Sequence, residues 1–420
     1  MLKSVFLVSI ILFANLIIFA QEPGYTFPAN SLVNLGSVQH PDSINFSFLN
    51  KQIKDARIVG LGEVSHYTRE CYTVKHSIIK HLAKTENFDV LVLEVDFGQG
   101  LKWNDYVEHG NGDLDALIAG TGWSTYRTKE FYDLLKSLRE HNEKASRKIR
   151  VVGMEMTYIE NNLKWLDTFL EASSPTFDDV RKDLDKKRKY LAFARHEKDE
   201  ILDYWNLYFR MNELLSSNKE ILVKNSSETD FANAERIVEI IRQYATYVSQ
   251  TEFRLQTEFR DKFSTRNVFW ALNQRENSKA IIWAHNGHIR KSYSYDVLGR
   301  NLSLAFGDEY FAIGFMFGEG EFGSHNDEWN FTKFSYAAPE KSTLNYKLSE
   351  RKENLFFNIR ENLQNEDAKF LRTPVEARAD ISEQLRKQDM NSTVPIILGE
   401  TYDAIVFLEK TTFPTTFTAK

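Results

Sequence analysis

Residues 60–66 read Gly-Leu-Gly-Glu-Val-Ser-His and set a carboxylate, Glu63, three positions before an imidazole, His66. The pair follows a short apolar run, Arg57–Leu61 (RIVGL), and precedes a stretch with helical spacing that carries Lys75. Similar groups follow three other apolar runs: Glu94 and Asp96 in LVLEVDFGQG, Glu155 in VVGMEM, and His285 and His288 in IIWAHNGHI. Taken singly, each has an ordinary structural use: Glu94 as a salt-bridge partner, His66 as a buried ring, His288 in the first turn of a helix. Together they are acids and imidazoles leaving separate strands, with Gly60, Gly62 and Gly287 allowing close backbone approach. That combination marks a reactive or binding site.

Two chemistries suit these side chains. In one, His66 is a general base on water, since an imidazole titrates near neutrality. Glu63 or Glu94 would fix its tautomer and stabilise the imidazolium, and His285 or His288, with Lys75, would stabilise an oxyanion. In the other, His66, Glu94, His285 and His288 hold a divalent metal whose bound water attacks. Spacing does not separate the two. It does exclude others. His285 and His288 stand three apart, not four as in the helical HExxH signature. No GxSxG elbow and no GxxxxGK[ST] loop occur. Cys71, the only cysteine, falls in the helical stretch after His66 and reads as packed.

Such groups converge only if the elements beneath them do. Six runs are nearly all apolar rather than alternating: Arg57–Leu61, Asp89–Leu93, Ile149–Val152, Ala280–Trp283, Tyr310–Phe315 and Ala404–Leu408. Strands of this kind are buried on both faces, as in a mostly parallel sheet between helices. Helical periodicity over Glu70–Ala83 and Thr128–Asn142 separates the first three, giving an α/β fold. In such sheets ligands gather beyond the carboxyl ends of the strands, where the groups above are placed.

Residues 161–277 change character, with long amphipathic helical patterns, and read as a helical insertion between the third and fourth of these strands. Its charges read as solvated faces, and Tyr204, Trp205, Tyr208 and Phe209 as core rather than a ligand wall. Gly318–Phe334 suggests a β-hairpin, and the residues from Thr411 on a loose tail. Residues 1–20 have the parts of a cleaved signal peptide: Lys3, an unbroken apolar run, then Ala20. The expected organisation is therefore a leader (1–20), a first α/β part (21–160), the insertion (161–277) and a second α/β part (278–420), in a periplasmic or secreted protein with no stable membrane insertion after signal removal. A single cysteine excludes an intramolecular disulfide. The formal charge is −6 over 420 residues and shows no basic stripe, so nucleic acid is not an expected partner.

Several blocks, in order, are similar to one known family. GLGEVSHYTRE, FDVLVLEVDFGQG with the following DYV, LREHN, VVGMEM, AIIWAHNGHI and YDVLGRNL resemble the erythromycin esterase family over roughly residues 45–320, and YDAIVFLEKTT resembles its last strand. The resemblance implies a mostly parallel sheet, a helical part over a deep cleft, and opening of a macrolide lactone by water without a covalent intermediate or a required metal. Carried over by motif, His66 is the essential base, Glu63 and Glu94 are site carboxylates, and His285 and His288 are the paired histidines. Lys75 stands where macrolide-opening members carry arginine, and Tyr67 where many members have glycine. The expected substrate is a small-molecule ester or lactone, with no cofactor. A metal-dependent hydrolase and a non-catalytic binding protein on the same scaffold are the alternatives.

Overall fold

A computed structural model describes residues 25–173, 177–187, 197–325, 331–380 and 392–418. The expected leader lies outside these residues. Among the described residues no helix is long and apolar enough to cross a membrane.

The strands are β1 (Leu32–Asn34), β2 (Ile58–Leu61), β3 (Val90–Asp96), β4 (Arg150–Glu155), β5 (Ala280–Trp283), β6 (Tyr310–His325), β7 (Phe331–Tyr336), β8 (Leu355–Asn358), β9 (Val375–Arg378), β10 (Thr393–Ile396) and β11 (Ala404–Thr411). One sheet runs in the order β1-β8-β11-β6-β2-β5-β3-β4, with β7 also paired to β6. From β11 to β4 every neighbouring pair is parallel. β1, β8 and β7 add antiparallel pairings, and β9 and β10 form a separate ribbon. The six apolar runs are the six parallel strands, and the expected hairpin is β6–β7.

Alternate residues of each central strand enter different cores. Ile58, Val90, Val92, Ala280 and Ile282 face one side. Val59, Leu61, Leu91, Leu93, Ile281 and Trp283 face the other, against helices Arg69–Thr85 and Lys129–Asn142. This two-sided burial is why the strands read as continuous apolar runs.

Between β4 and β5 the chain forms helices Glu160–Ser173, Asp178–Lys187, Lys198–Ser217, Lys219–Asn225, Glu228–Val248 and Phe253–Asn273. Their apolar residues, Leu163, Met211, Ile241 and Val268 among them, join the same core as the first sheet face. The helical block is thus a layer of the sheet's own core. Two expectations for it change. Its charges are not all solvated: Arg236 and Asp261 are buried. Of its aromatics, Tyr204 is buried and Trp205 and Tyr208 pack partly against the core, but Phe209 is 61% exposed.

The tail is not loose. The Arg69 N–H donates to Thr412 O (2.9 Å), Lys129 N–H to Thr415 O (2.8 Å) and Phe417 N–H to Arg127 O (3.1 Å). Buried Glu70 accepts from the Thr412 N–H and hydroxyl, both at 2.7 Å, and Phe417 stacks on Tyr132. The threonine-rich composition suggests solvation, but these backbone groups complete the starts of two helices, where N–H donors lack intrahelical partners.

Candidate active site

The sheet register sets the site. Leu61 pairs with Trp283, Trp283 with Leu93, and Leu93 with Gly153. Residues just past this row, Glu63 and His66 from β2, Glu94 from β3, Glu155 from β4, and His285 and His288 from β5, therefore share one rim. Gly62 is needed there: a Cβ would lie 2.1 Å from Asn286 Oδ1. The Asn286 amide is fixed by giving a hydrogen to Phe315 O (2.8 Å) and accepting the Phe315 N–H (3.0 Å), which anchors the His285–His288 turn beside the Glu63–His66 turn. The Asn286 N–H also donates to Glu63 O (2.8 Å).

Glu63 is buried at the centre of a polar stack. Its Oε1 lies 2.7 Å from His66 Nδ1, and its Oε2 accepts from Lys75 Nζ at 2.5 Å and Trp283 Nε1 at 2.9 Å. Burial opposes its charge, but Lys75 and His66 outweigh that and hold the carboxyl down at about 2. An ionised acceptor on Nδ1 puts the ring hydrogen there and leaves the basic lone pair on Nε2. The His66 side chain is 35% exposed, and its carbonyl accepts from the Tyr72 hydroxyl at 2.5 Å.

Lys75 does not sit where the sequence reading put it. Its side chain is 0% exposed, beneath Glu63 and 4.4 Å from the Trp283 ring centroid. It cannot touch an oxyanion. Its place on the inward face of helix Arg69–Thr85, where Cys71, Val74, Ile78 and Ile79 are also buried, makes it the counterion of Glu63. Cys71 is packed as expected, and burial pushes its thiol far up.

His285 faces His66, with ring centroids 5.3 Å apart. Its Nδ1 accepts the Gly287 N–H at 3.2 Å, so Nε2 carries the hydrogen, and Nε2 lies 3.3 Å from Val64 O. Burial and the neighbouring His66 ring push it down to about 4, and His285 is neutral.

Glu94 does not reach His66 but organises the β5 turn. Its Oε2 accepts the His285 N–H at 2.9 Å and its Oε1 accepts from Arg260 Nη2 at 2.8 Å. His288 Nδ1 donates to Asp261 Oδ1 at 2.7 Å, and its Nε2 lies 3.4 Å from Glu94 Oε1. Burial favours the neutral ring, but Asp261 and Glu94 outweigh it and push His288 up to about 10. It is an imidazolium, so its 3.2 Å approach to Arg260 Nη1 brings two donors together and is not a hydrogen bond. Arg260 also spans Glu155, with Nε 3.0 Å from both carboxylate oxygens and Nη2 2.8 Å from Oε1. Among the described residues no group of three or more His, Cys, Asp or Glu side chains could hold a metal ion.

Asp96 is structural: it caps helix Phe97–His109 by accepting the Gln99 N–H at 2.8 Å, and binds Trp123 Nε1 at 2.8 Å. A cavity of about 520 Å³ lies elsewhere, lined by Thr85, Glu86, Asn87, Arg147, Asn277 and Lys279. These residues precede β3, β4 and β5, which sets the cavity at the opposite rim from the histidines.

A family model described as erythromycin esterase matches residues 83–411. The chain belongs to the erythromycin esterase family. It is 26% identical to an erythromycin esterase type II of Escherichia coli over 308 residues, covering 66% of this chain and 73% of that protein. It is 21% identical to an Escherichia coli erythromycin esterase type I, covering 60% and 67%. A crystal structure of a Bacillus cereus protein superposes with a TM-score of 0.77 at 25% identity, covering 92% of this chain and 97% of that one. A mutant of the erythromycin esterase EreC in its open conformation gives 0.69 at 18% identity, covering 92% and 99%; at that identity the likeness is one of fold.

In this family member the site thus gathers five of the six expected side chains around one rim and sets Lys75 behind it. The sequence reading missed Arg260 and Asp261, both from helix Phe253–Asn273. A signal was present. That helix carries Phe259, Phe263, Val268, Phe269, Trp270 and Leu272 around most of its girth, so part of its charge had to be buried and paired.

Proposed function

We propose that this protein is a hydrolase that opens a carboxylic ester or lactone with water activated by His66, without a covalent intermediate. The single observation behind this is the stack Lys75–Glu63–His66, which fixes the imidazole with its basic nitrogen, Nε2, on a side chain that solvent reaches. His66 Nε2 takes a proton from water as the water oxygen adds to the substrate carbonyl carbon. Negative charge then develops on the carbonyl oxygen. His285, neutral, stands on the adjacent wall, and its Nε2 hydrogen leaves its long 3.3 Å contact with Val64 O to meet the developing oxyanion. Collapse of the tetrahedral adduct expels the alkoxide, which recovers the proton from the His66 imidazolium. Glu63 stabilises that imidazolium through Nδ1. No step needs a nucleophilic serine or cysteine.

Family membership supports ester or lactone chemistry. Tyr67, in place of glycine beside the base, favours a substrate other than a macrolide; Lys75, buried beneath Glu63, does not face the substrate. A metal-independent step is supported by the pairing of Glu94 and His288 with Arg260 and Asp261, which commits those donors. The apolar stretch near the amino terminus supports a secreted or periplasmic location; mass spectrometry of the mature amino terminus tests it.

The decisive assay is hydrolysis of a panel of lactones and simple esters by the purified protein and by His66→Ala. Removal of the base lowers kcat by on the order of 10²-fold or more. Equal activity in the two proteins overturns the proposal, and activity lost on thorough chelation overturns its metal-independence. Saturable ligand binding with no turnover across the panel assigns the scaffold to binding.

A further inference from the structure

Asp380 comes to the site from β9, a strand outside the main sheet. Two residues earlier Arg378 fixes that strand in place: its N–H donates to Asn345 Oδ1 (2.9 Å), its Nη1 to Gly318 O on β6 (2.6 Å) and its Nη2 to Ala337 O (2.9 Å). Asp380 then meets the turn after β5. Its Oδ1 accepts from Asn286 Nδ2 at 2.8 Å, and its Oδ2 lies 3.4 Å from Arg290 Nη2. Arg290 is buried, with the Tyr293 and Tyr402 ring centroids 4.9 and 5.9 Å from its guanidinium carbon. Among the described residues Asp380 is its one carboxylate partner. A buried guanidinium accounts for a carboxylate nearby, but the shorter bond goes to Asn286. That side chain joins the two catalytic turns: it accepts the Phe315 N–H and gives one amide hydrogen to Phe315 O, and the Asn286 N–H holds Glu63 O. An amide has two hydrogens to place, and Asp380 takes the second. Burial and the His66 ring push His285 down, and the Asp380 carboxylate opposes them, so Asp380 lies near that ring as well.

We propose that Asp380 is a positioning residue, which locks Asn286 and so sets the His285 ring against His66. With both amide hydrogens and the amide oxygen bonded, the Asn286 side chain has one orientation. Without Asp380, one of those hydrogens is left unmet on a side chain that is 1% exposed. An unmet buried donor is unfavourable, and the turn relaxes towards another acceptor, carrying His285 with it. Asp380 touches no substrate atom. The β9–β10 ribbon, which adds nothing to the main sheet, carries the clamp of the catalytic turn.

The kinetic arm of the test rests on the hydrolase reading, and the spectroscopic arm does not. In Asp380→Ala, kcat falls by roughly 10- to 10²-fold, up to the scale of an ångström-sized misplacement, with KM close to the original. The melting temperature falls too, because Arg290 is left buried and unpaired. Adding Arg290→Met to Asp380→Ala removes both charges. The melting temperature then returns towards that of the wild type, but kcat stays low, because Asn286 still lacks its acceptor. If Asp380 serves only to neutralise Arg290, the double variant recovers kcat as well, and the proposal is overturned. An unchanged kcat in Asp380→Ala overturns it equally. In the spectroscopic arm, NMR of protein labelled at the histidine Cε1 follows the His285 signal, assigned by its loss in His285→Asn. That signal moves in both variants, and by more than the signal of His288, which Asp261 holds. The double variant has the net charge of the wild type, so its shift reports the place of the ring. A His285 signal that stays where it was overturns the proposal. The double variant, with no buried charge unpaired, carries both arms if Asp380→Ala is insoluble. If the wild type hydrolyses nothing on the panel, the hydrolase reading fails and the His285 signal still decides this one.

Discussion

Lys75 shows how much one buried charge can govern. Its ammonium, the Glu63 carboxylate and the His66 ring form a line in which each fixes the next. Replacing Lys75 by Met leaves Glu63 buried without its main counterion, which costs about 3–5 kcal/mol. We expect Lys75→Met to melt well below the wild type in calorimetry. Its residual folded fraction should hydrolyse esters slowly, because a protonated Glu63 no longer stabilises charge on His66. His285 gives a pH signature. Its folded value of about 4 is below the 6.5 of an unfolded imidazole, so the unfolded chain binds the extra proton first. The stability that a neutral His285 contributes is complete above pH 6.5 and is lost as pH falls towards 4. It amounts to about 3 kcal/mol at full development. Denaturant titrations at pH 7.5 and 4.5 should therefore show a smaller acid loss in His285→Asn than in the wild type; equal losses refute the assignment. Most site residues were legible in the sequence because Glu63, His66, Glu94, His285 and His288 each follow an apolar run. The role of Lys75 was not, since helical periodicity alone did not separate an inward ammonium from one at the rim.

At the scale of elements, the parallel strands declared themselves and the small pieces did not. β2, β3, β4, β5, β6 and β11 are buried on both faces and stand out as apolar runs. β1, β9 and β10 span three or four residues at an edge or in a ribbon, too short for periodicity to register. β8 (LFFN) is buried but equally short. Arg260 and Asp261 were missed for another reason: the apolar girth of helix Phe253–Asn273 shows that some of its charge is buried, but not which partners on other elements it meets. The tail makes an element-level prediction. Deleting residues 412–420 removes both hydrogen bonds to buried Glu70 and the Phe417–Tyr132 stack. An unsatisfied buried acceptor costs about 1–3 kcal/mol. The truncated protein should melt several degrees lower by circular dichroism. Since Phe413 also stacks on Tyr67, next to His66, its kcat should fall too. A melting temperature and rate equal to those of the full chain would show the tail to be idle.

For the molecule as a whole, the point is that the helical layer and one face of the sheet share a core. The layer also contributes Arg260 and Asp261 to the rim. It is therefore expected to unfold with the sheet and not before it. Differential scanning calorimetry should give one transition whose calorimetric and van't Hoff enthalpies agree. A separate early peak that leaves the sheet intact would contradict this. The solitary thiol has a practical consequence. Cys71 is enclosed in helix Arg69–Thr85, and its proton is held far more tightly than that of an ordinary thiol, so it should resist maleimide dyes. A fluorophore could then be attached at one engineered cysteine, for instance in place of the partly exposed Tyr293 near the His288 turn, with no native sulfur to remove first. Ligand arrival could be followed by light alone, before any product is known.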